Sequence, residues 1–183
     1  MTREEALESI KANVENQNMV KHMLATEAIM RTLAKRLGED EEVWGLTGLL
    51  HDIDAELAEG DKNTHSKLAA DLARELGATE SMAHAILCHN PRHGIPLETK
   101  LDKALVCADR LTGLITAAAL DRPDKKLAGL EAGSVLEKFE DRSFAVAANR
   151  EDISQCSELG LELGEFVELG LVAMQGIAEE LGL

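Results

Sequence analysis

Apolar residues recur at helical spacing along nearly the whole chain, and no segment alternates polar and apolar residues over the length of a strand. Leu7, Ile10 and Val14 show this spacing near the start of the sequence. Hydrophobic residues make up 45% of the chain but aromatic residues only 2%. The core must therefore consist of Leu, Ala, Ile, Val and Met side chains, which suit helices better than a β-sandwich. The sequence predicts an all-α protein.

Caps and helix-ending glycines divide this pattern into elements. A capping box at Thr2-Arg3-Glu4-Glu5 predicts a first helix, and Gly38 and Gly77 are expected to end later ones. Thr64 is expected to begin a helix whose first turn contains His65. The remaining helices are predicted, in order, over about 16–38, 40–52, 79–89, 99–120, 127–139, 151–159 and 165–181, with a short segment near 144–149.

The length and the absence of a linker favour one domain. A chain of 183 residues is long enough for one well-buried core. We therefore expect a single helical bundle over 1–183, with its motif-bearing core at about 18–120. The sequence after Arg122-Pro123, about 121–183, is expected to add further C-terminal helices.

The charge of the chain limits its partners. A formal net charge of −15 disfavours nucleic-acid polymers and anionic membranes, because both would be repelled. No signal peptide is recognisable, and no apolar run approaches the length of a membrane span. The cysteines are expected to be reduced core thiols rather than ligands, in a cytoplasmic protein. They are Cys88, Cys107 and Cys156.

The sequence offers six strong metal-ligating side chains, and five of them stand in or beside apolar helical sequence, where an unpartnered imidazole or carboxylate would be costly. Adjacent donors at His51-Asp52 can face one or two ions, and Asp52 is expected to lie between the two. Asp54 is expected to support the site, and His84 to be a surface or structural residue. The predicted ligands are His22, His51, Asp52 and Asp109 for a first ion, with His65 and His89 added for a second. This mixed nitrogen and oxygen set suits Fe, Mn, Ni, Co, Zn or Mg, and the native metal stays open.

The order of these residues resembles a known family. His22, then His51-Asp52, then Asp109 is similar to the H…HD…D signature of the HD superfamily of metal-dependent phosphohydrolases. The segments Leu49-Leu50-His51-Asp52-Ile53 and Ala104-Leu105-Val106-Cys107-Ala108-Asp109-Arg110-Leu111 are typical of it. With His65 and His89 the chain resembles the six-residue variant, which implies two metals. No Gly-Tyr-Pro motif follows, so the resemblance does not extend to the HD-GYP phosphodiesterases.

The resemblance implies a phosphohydrolase acting on a small phosphorylated metabolite, with a nucleotide or dinucleotide favoured, through metal-activated water. Two divalent ions with Asp52 and Asp109 leave the pocket at about +2, which suits an anionic substrate. Either carboxylate is expected to orient the nucleophile. Two alternatives remain open: a di-iron oxygenase of the HD type, and a non-catalytic module that binds a nucleotide. The oligomeric state is not predicted.

Cationic side chains are candidates for holding the phosphate of the substrate. Arg92 and His93 lie in a Pro- and Gly-punctuated loop, and Arg110 follows Asp109 directly. The remaining candidates, Lys125, Lys126 and Arg150, belong to the C-terminal extension. These cations stand out in a chain this acidic, and each is either a substrate contact or part of a solvated or ion-paired surface.

Overall fold

The structure, a computed structural model, describes residues 1–183 and contains helices without strands. The all-α prediction is confirmed. Two 3₁₀ helices, Pro91–His93 and Gln155–Leu159, interrupt the series. The α-helices are α1 Arg3–Asn13, α2 Gln17–Leu37, α3 Glu41–Leu50, α4 Lys67–Glu75, α5 Glu80–Cys88, α6 Lys100–Asp121, α7 Ala132–Glu140, α8 Arg150–Ser154, α9 Leu163–Gly176 and α10 Ala178–Leu181.

Local sequence signals fix several of these boundaries. Thr2 and Glu5 form the expected capping box of α1, with each side chain bonded to the other residue's amide. Asp40 caps α3 by accepting from the amides of Glu42 and Val43. Gly38 ends α2 in the left-handed conformation, with φ 71°, which glycine adopts at little cost.

The two longest helices, α2 and α6, pack against each other, and α3 and α9 pack on them. Glycines allow this close approach. A Cβ on Gly48 of α3 would lie 3.0 Å from the backbone oxygen of Thr26 on α2. A Cβ on Gly170 of α9 would lie 2.5 Å from the Leu111 side chain of α6. The end of α3 is thereby brought next to the middle of α2.

One cluster of 45 buried residues extends from Ala6 in α1 to Leu181 in α10, so the C-terminal helices share the core of the motif-bearing part. The helices α3, α5, α7, α8, α9 and α10 each pack on α2 or α6, whereas α1 packs on α3 and α4 packs on α5. All three cysteines are buried and unpaired. No helix combines the length and the apolar character that crossing a membrane requires.

Two predicted helix starts were wrong. The helix expected to begin at Thr64 begins at Lys67, because Ser66 has φ 74° and cannot belong to a right-handed helix. The helix expected from 127 begins at Ala132, since Gly129 is left-handed. The segment near 144–149 consists of turns.

Candidate metal centre

The six predicted ligands come from five separate parts of the fold and meet at one place. His22 lies on α2 and Asp109 in the middle of α6. The other four occupy helix ends or turns: His51 is the C-cap of α3, with Asp52 directly after it; His65 lies in the turns before α4; and His89 is the C-cap of α5. The site therefore depends on the packing of α2, α3, α5 and α6 against one another.

The first group of donors surrounds the Nε2 atom of His22. It lies 3.2 Å from Nε2 of His51 and 3.1 Å from Oδ1 of Asp109. Oδ2 of Asp52 lies 3.6 Å from the same atom and 3.5 Å from Nε2 of His51. Donors bound to one ion at about 2.1 Å are separated by roughly 3.0–3.4 Å. The four side chains therefore match the coordination shell of one divalent ion to within a few tenths of an ångström.

A second group of donors faces the other oxygen of the same carboxylate. Oδ1 of Asp52 lies 3.5 Å from Nε2 of His65 and 3.4 Å from Nε2 of His89. The two oxygens of Asp52 thus point to different pairs of histidines. A carboxylate in this position can join two ions.

Every histidine of the centre has its other ring nitrogen occupied by an oxygen. This arrangement turns Nε2 toward the centre and is typical of metal-binding histidines. The Nδ1 contacts are His22 to Thr112 Oγ1 at 3.0 Å, His51 to Gly48 O at 2.7 Å, His65 to Asp54 Oδ1 at 2.8 Å and His89 to Ile86 O at 2.6 Å. The donor set and its supports fit a divalent metal.

Two of these supports are side chains. Asp54 is fully buried, and its second oxygen accepts from the amides of Ser66 and Ala69 at 2.7 and 2.9 Å. It fixes His65 and the start of α4 together. Thr112 was missed from the sequence, although its position three residues after Asp109 would have placed it on the same helix face.

The electrostatics of the centre favour anionic carboxylates. Burial opposes ionisation of Asp52 and Asp109, but the neighbouring histidines outweigh it and hold both pKa values below their ordinary range. Burial likewise opposes a charge on His51, and here the same two carboxylates raise its pKa to about 9. The hydrogen bond to Asp54 is the main cause of a raised pKa at His65. Metal ions would displace these protons, because only the neutral imidazole binds them.

The centre opens into a cavity of about 650 Å³. This volume falls within the range of small-molecule sites. Lys62, Arg92 and Arg110 supply positive charge to its lining. Lys62 was missed, since a lysine in a polar loop carries no sequence signal of its own. The lining also includes Gly113 of α6 and the small residues Ala145, Ala147 and Ala148.

Four of the predicted substrate contacts lie elsewhere. Lys125 and Lys126 are exposed, are not part of the cavity lining, and Nζ of Lys126 instead contacts the oxygen of Gly182. His93 lies outside the cavity, with Nε2 2.8 Å from the oxygen of His65. Arg150 is only 4% exposed and points into the protein.

The guanidinium of Arg150 holds the backbone of the segment before it. Its acceptors are six carbonyl oxygens, those of Lys138, Phe139, Asp141, Phe144, Ala145 and Ala148. Ala145 has φ 45°, a conformation that an alanine rarely adopts. Arg150 therefore replaces the missing helical hydrogen bonds of this segment and orders the alanine wall of the cavity.

His84 and Cys88 were expected to be structural or core residues. Nδ1 of His84 lies 3.3 Å from Oδ2 of Asp102, and Cys88 is buried. Neither side chain belongs to the cavity lining.

Comparison with known proteins agrees with this geometry. The HD domain family matches residues 19–122. The chain is similar to ribonuclease Y of Lawsonia intracellularis, with 31% identity over 74% of this chain and 26% of that protein. It is also similar to ribonuclease Y of Enterococcus faecalis, with 33% identity over 74% of this chain and 26% of the relative. The chain thus spans about a quarter of these relatives. No solved structure matches it.

Proposed function

The chain belongs to the HD domain family, and we propose that it is a metal-dependent phosphohydrolase acting on a small phosphate ester, a nucleotide or short dinucleotide, with two divalent ions. One observation carries the proposal: the two oxygens of Asp52 face two different sets of histidines at 3.4–3.6 Å. A di-iron oxygenase would use the same six ligands, but the cationic lining residues Lys62 and Arg92 suit a phosphate. A module that only binds a nucleotide would not require two sets of metal ligands.

The cavity has the charge that a phosphate requires. Lys62 and Arg92 line the cavity and are exposed, so their charges are accessible to a ligand. Arg110 is already held by Asp109 at 3.0 Å and by Asp152 at 3.4 Å. We assign phosphate binding to Lys62 and Arg92, and the orientation of Asp109 to Arg110.

The remaining side chains suit the rest of the ester. Three small apolar side chains line one part of the cavity and leave room for the organic part of the substrate to pack against them. They are Ala145, Ala147 and Ala148. The side-chain amide of Asn18, also in the lining, is available to a ligand. Substrate selection would then depend on a segment outside the matched HD region.

The chemistry divides between the residues and the ions they hold. Divalent ions, when bound, would activate water and neutralise charge that develops on the phosphoryl oxygens. Asp52 and Asp109 stay anionic and orient the attacking water. Lys62 and Arg92 hold the phosphate in line with it.

A second candidate is phosphodiester cleavage in RNA, because the relatives are named ribonuclease Y. The net charge of −15 opposes this reading, since a long polyanion would have to lie along a negative surface. We therefore expect short substrates to be cleaved faster than RNA.

The test is a comparison of kcat/KM on metal-depleted protein reloaded with Mn, Fe, Co, Ni, Zn or Mg. Substrates are nucleoside monophosphates, dinucleotides and single-stranded RNA. We expect turnover of the short substrates, its loss in Asp52→Asn, and no loss in Asp71→Asn, an exposed carboxylate on α4.

Two further variants locate the phosphate. Lys62→Ala and Arg92→Ala should raise KM, whereas Lys125→Ala and Lys126→Ala should not. Faster cleavage of RNA would favour the second candidate. Oxygen consumption without hydrolysis would favour an oxygenase, and nucleotide binding without turnover a regulatory module.

A further inference from the structure

We propose that the chain has another metal site, separate from the centre described above, formed by His84, Cys88 and Asp102 where α5 meets the start of α6. One donor atom from each residue lies within 4.8 Å of the other two. The site would take a single ion that accepts nitrogen, sulfur and oxygen together, of which Zn²⁺ and Co²⁺ are the best suited.

Helix geometry brings the three side chains together. His84 and Cys88 are four residues apart on α5 and therefore share one face of it. Asp102 is the third residue of α6 and closes the capping box with Thr99. Nδ1 of His84 lies 3.3 Å from Oδ2 of Asp102, a separation typical of two ligands of one ion.

A second, independent observation points to a cation. Oδ2 of Asp102 accepts from the amides of Glu98 and Thr99 at 2.9 and 2.8 Å. Oδ1 has no hydrogen-bond partner, although Asp102 is completely buried. A buried carboxylate oxygen without a partner is costly, and a bound ion would remove that cost.

The surroundings allow an ion to enter and stay. The side chain of His84 is 32% exposed, which opens the cluster to solvent on one side. Cys88 is 3% exposed and closes the other side. Binding would form a metal–sulfur bond and release the thiol proton of Cys88 to water.

The site is distinct from the main centre, although Cys88 precedes His89 in sequence. Nε2 of His89 is directed to Asp52, whereas Cys88 belongs to the face of α5 that meets Asp102. An ion here would tie the end of α5 to α6, and these helices carry His89 and Asp109. It would therefore stabilise the relative position of these two ligands of the main centre.

Cobalt titration of the full chain, after removal of metals, tests the proposal. The main centre contains only nitrogen and oxygen donors, so a thiolate-to-cobalt charge-transfer band in the near ultraviolet reports the new site alone. We expect this band in the natural chain and also in His51→Ala, where the main centre is disrupted. Cys88→Ser should abolish the band and lower bound cobalt by about one equivalent per chain.

Cys107→Ser is the matched control, since Cys107 is also buried and unpaired but lies outside the cluster. It should leave the band unchanged, and His84→Ala should weaken cobalt binding without unfolding the chain. The proposal is overturned if the natural chain shows no band, if Cys88→Ser keeps it, or if Cys107→Ser removes it. These outcomes do not depend on whether the chain hydrolyses any phosphate ester.

Discussion

Replacing Asp54 with alanine should weaken both the fold and one half of the metal centre. This carboxylate is completely buried and accepts three hydrogen bonds, from Nδ1 of His65 and from the amides of Ser66 and Ala69. Ser66, the N-cap of α4, makes no side-chain capping bond of its own. Asp54 therefore caps α4 from outside the helix and orients a metal ligand at the same time.

The magnitude follows from these contacts. A hydrogen bond to a charged group contributes about 1.5–3 kcal/mol. The three do not add fully, because the variant also relieves the burial of a charge. The variant leaves the buried amides of Ser66 and Ala69 without an acceptor, at about 1–3 kcal/mol each, so we expect Asp54→Ala to lower the free energy of unfolding by about 2–6 kcal/mol.

Urea unfolding of metal-free protein measures this loss, and calorimetric titration measures the metal. Freed from Asp54, His65 should bind its ion about 10–100-fold more weakly. Asp54→Asn keeps one acceptor oxygen and should lie between the natural chain and the alanine variant. Asp61→Ala is the control: Asp61 is exposed in the same connecting segment and bonds only within its own turn, to Asn63 and Thr64.

The reasoning would be refuted by an Asp54→Ala variant that unfolds at the same urea concentration as Asp61→Ala. If Asp54→Ala binds metal as tightly as the natural chain does, the role of Asp54 in orienting His65 is separately refuted.

Three further results are expected. His89→Ala should lower bound metal from about two to about one ion per chain by elemental analysis, and a count of one in the natural chain would contradict the two-ion proposal. Arg150→Ala should reduce the free energy of unfolding by about 2–4 kcal/mol and raise KM more than it lowers kcat, whereas exposed Arg142→Ala should do neither. In metal-free protein, neighbouring carboxylates raise the pKa of His51 from 6.5 to about 9. The stabilisation that protonated His51 contributes is therefore complete below about pH 6.5 and is lost as the pH rises through about 9. A pH series of urea unfolding with His51→Ala as the reference measures this loss, and an equal pH dependence in both proteins would contradict it.

The helices and the ligand set follow from local and motif information. Capping boxes, left-handed glycines and helical spacing are short-range signals, and they located α1, α2, α3 and α6 to within a few residues. The spacing of His51-Asp52 and Asp109 identified donors that the fold then brings within 4 Å of one another.

Long-range and backbone effects were not accessible in the same way. Arg150 was expected to contact phosphate because it is a cation in an acidic chain, but the carbonyls of a non-helical segment, clustered around its guanidinium, determine its position. Similarly, nothing in the residue type of Ser66 indicates its positive φ, which moves His65 out of α4 and into reach of Asp52. Both outcomes depend on the backbone conformation of connecting segments, which is determined by the packing of the helices on either side.

The hydrogen bonds from Arg150 to main-chain oxygens affect which residues of this segment can change during evolution. A carbonyl is present at every residue, so the path of the segment is insensitive to which side chains it carries. Val146, which is 76% exposed, and Ala147 are therefore free to vary while the backbone keeps its course. The ligands of the ions lie on other parts of the chain and need not change with them. Substrate selectivity and metal-dependent reactivity can thus evolve at separate positions. A library at Ala147, which lines the cavity, should alter substrate choice while metal content stays constant.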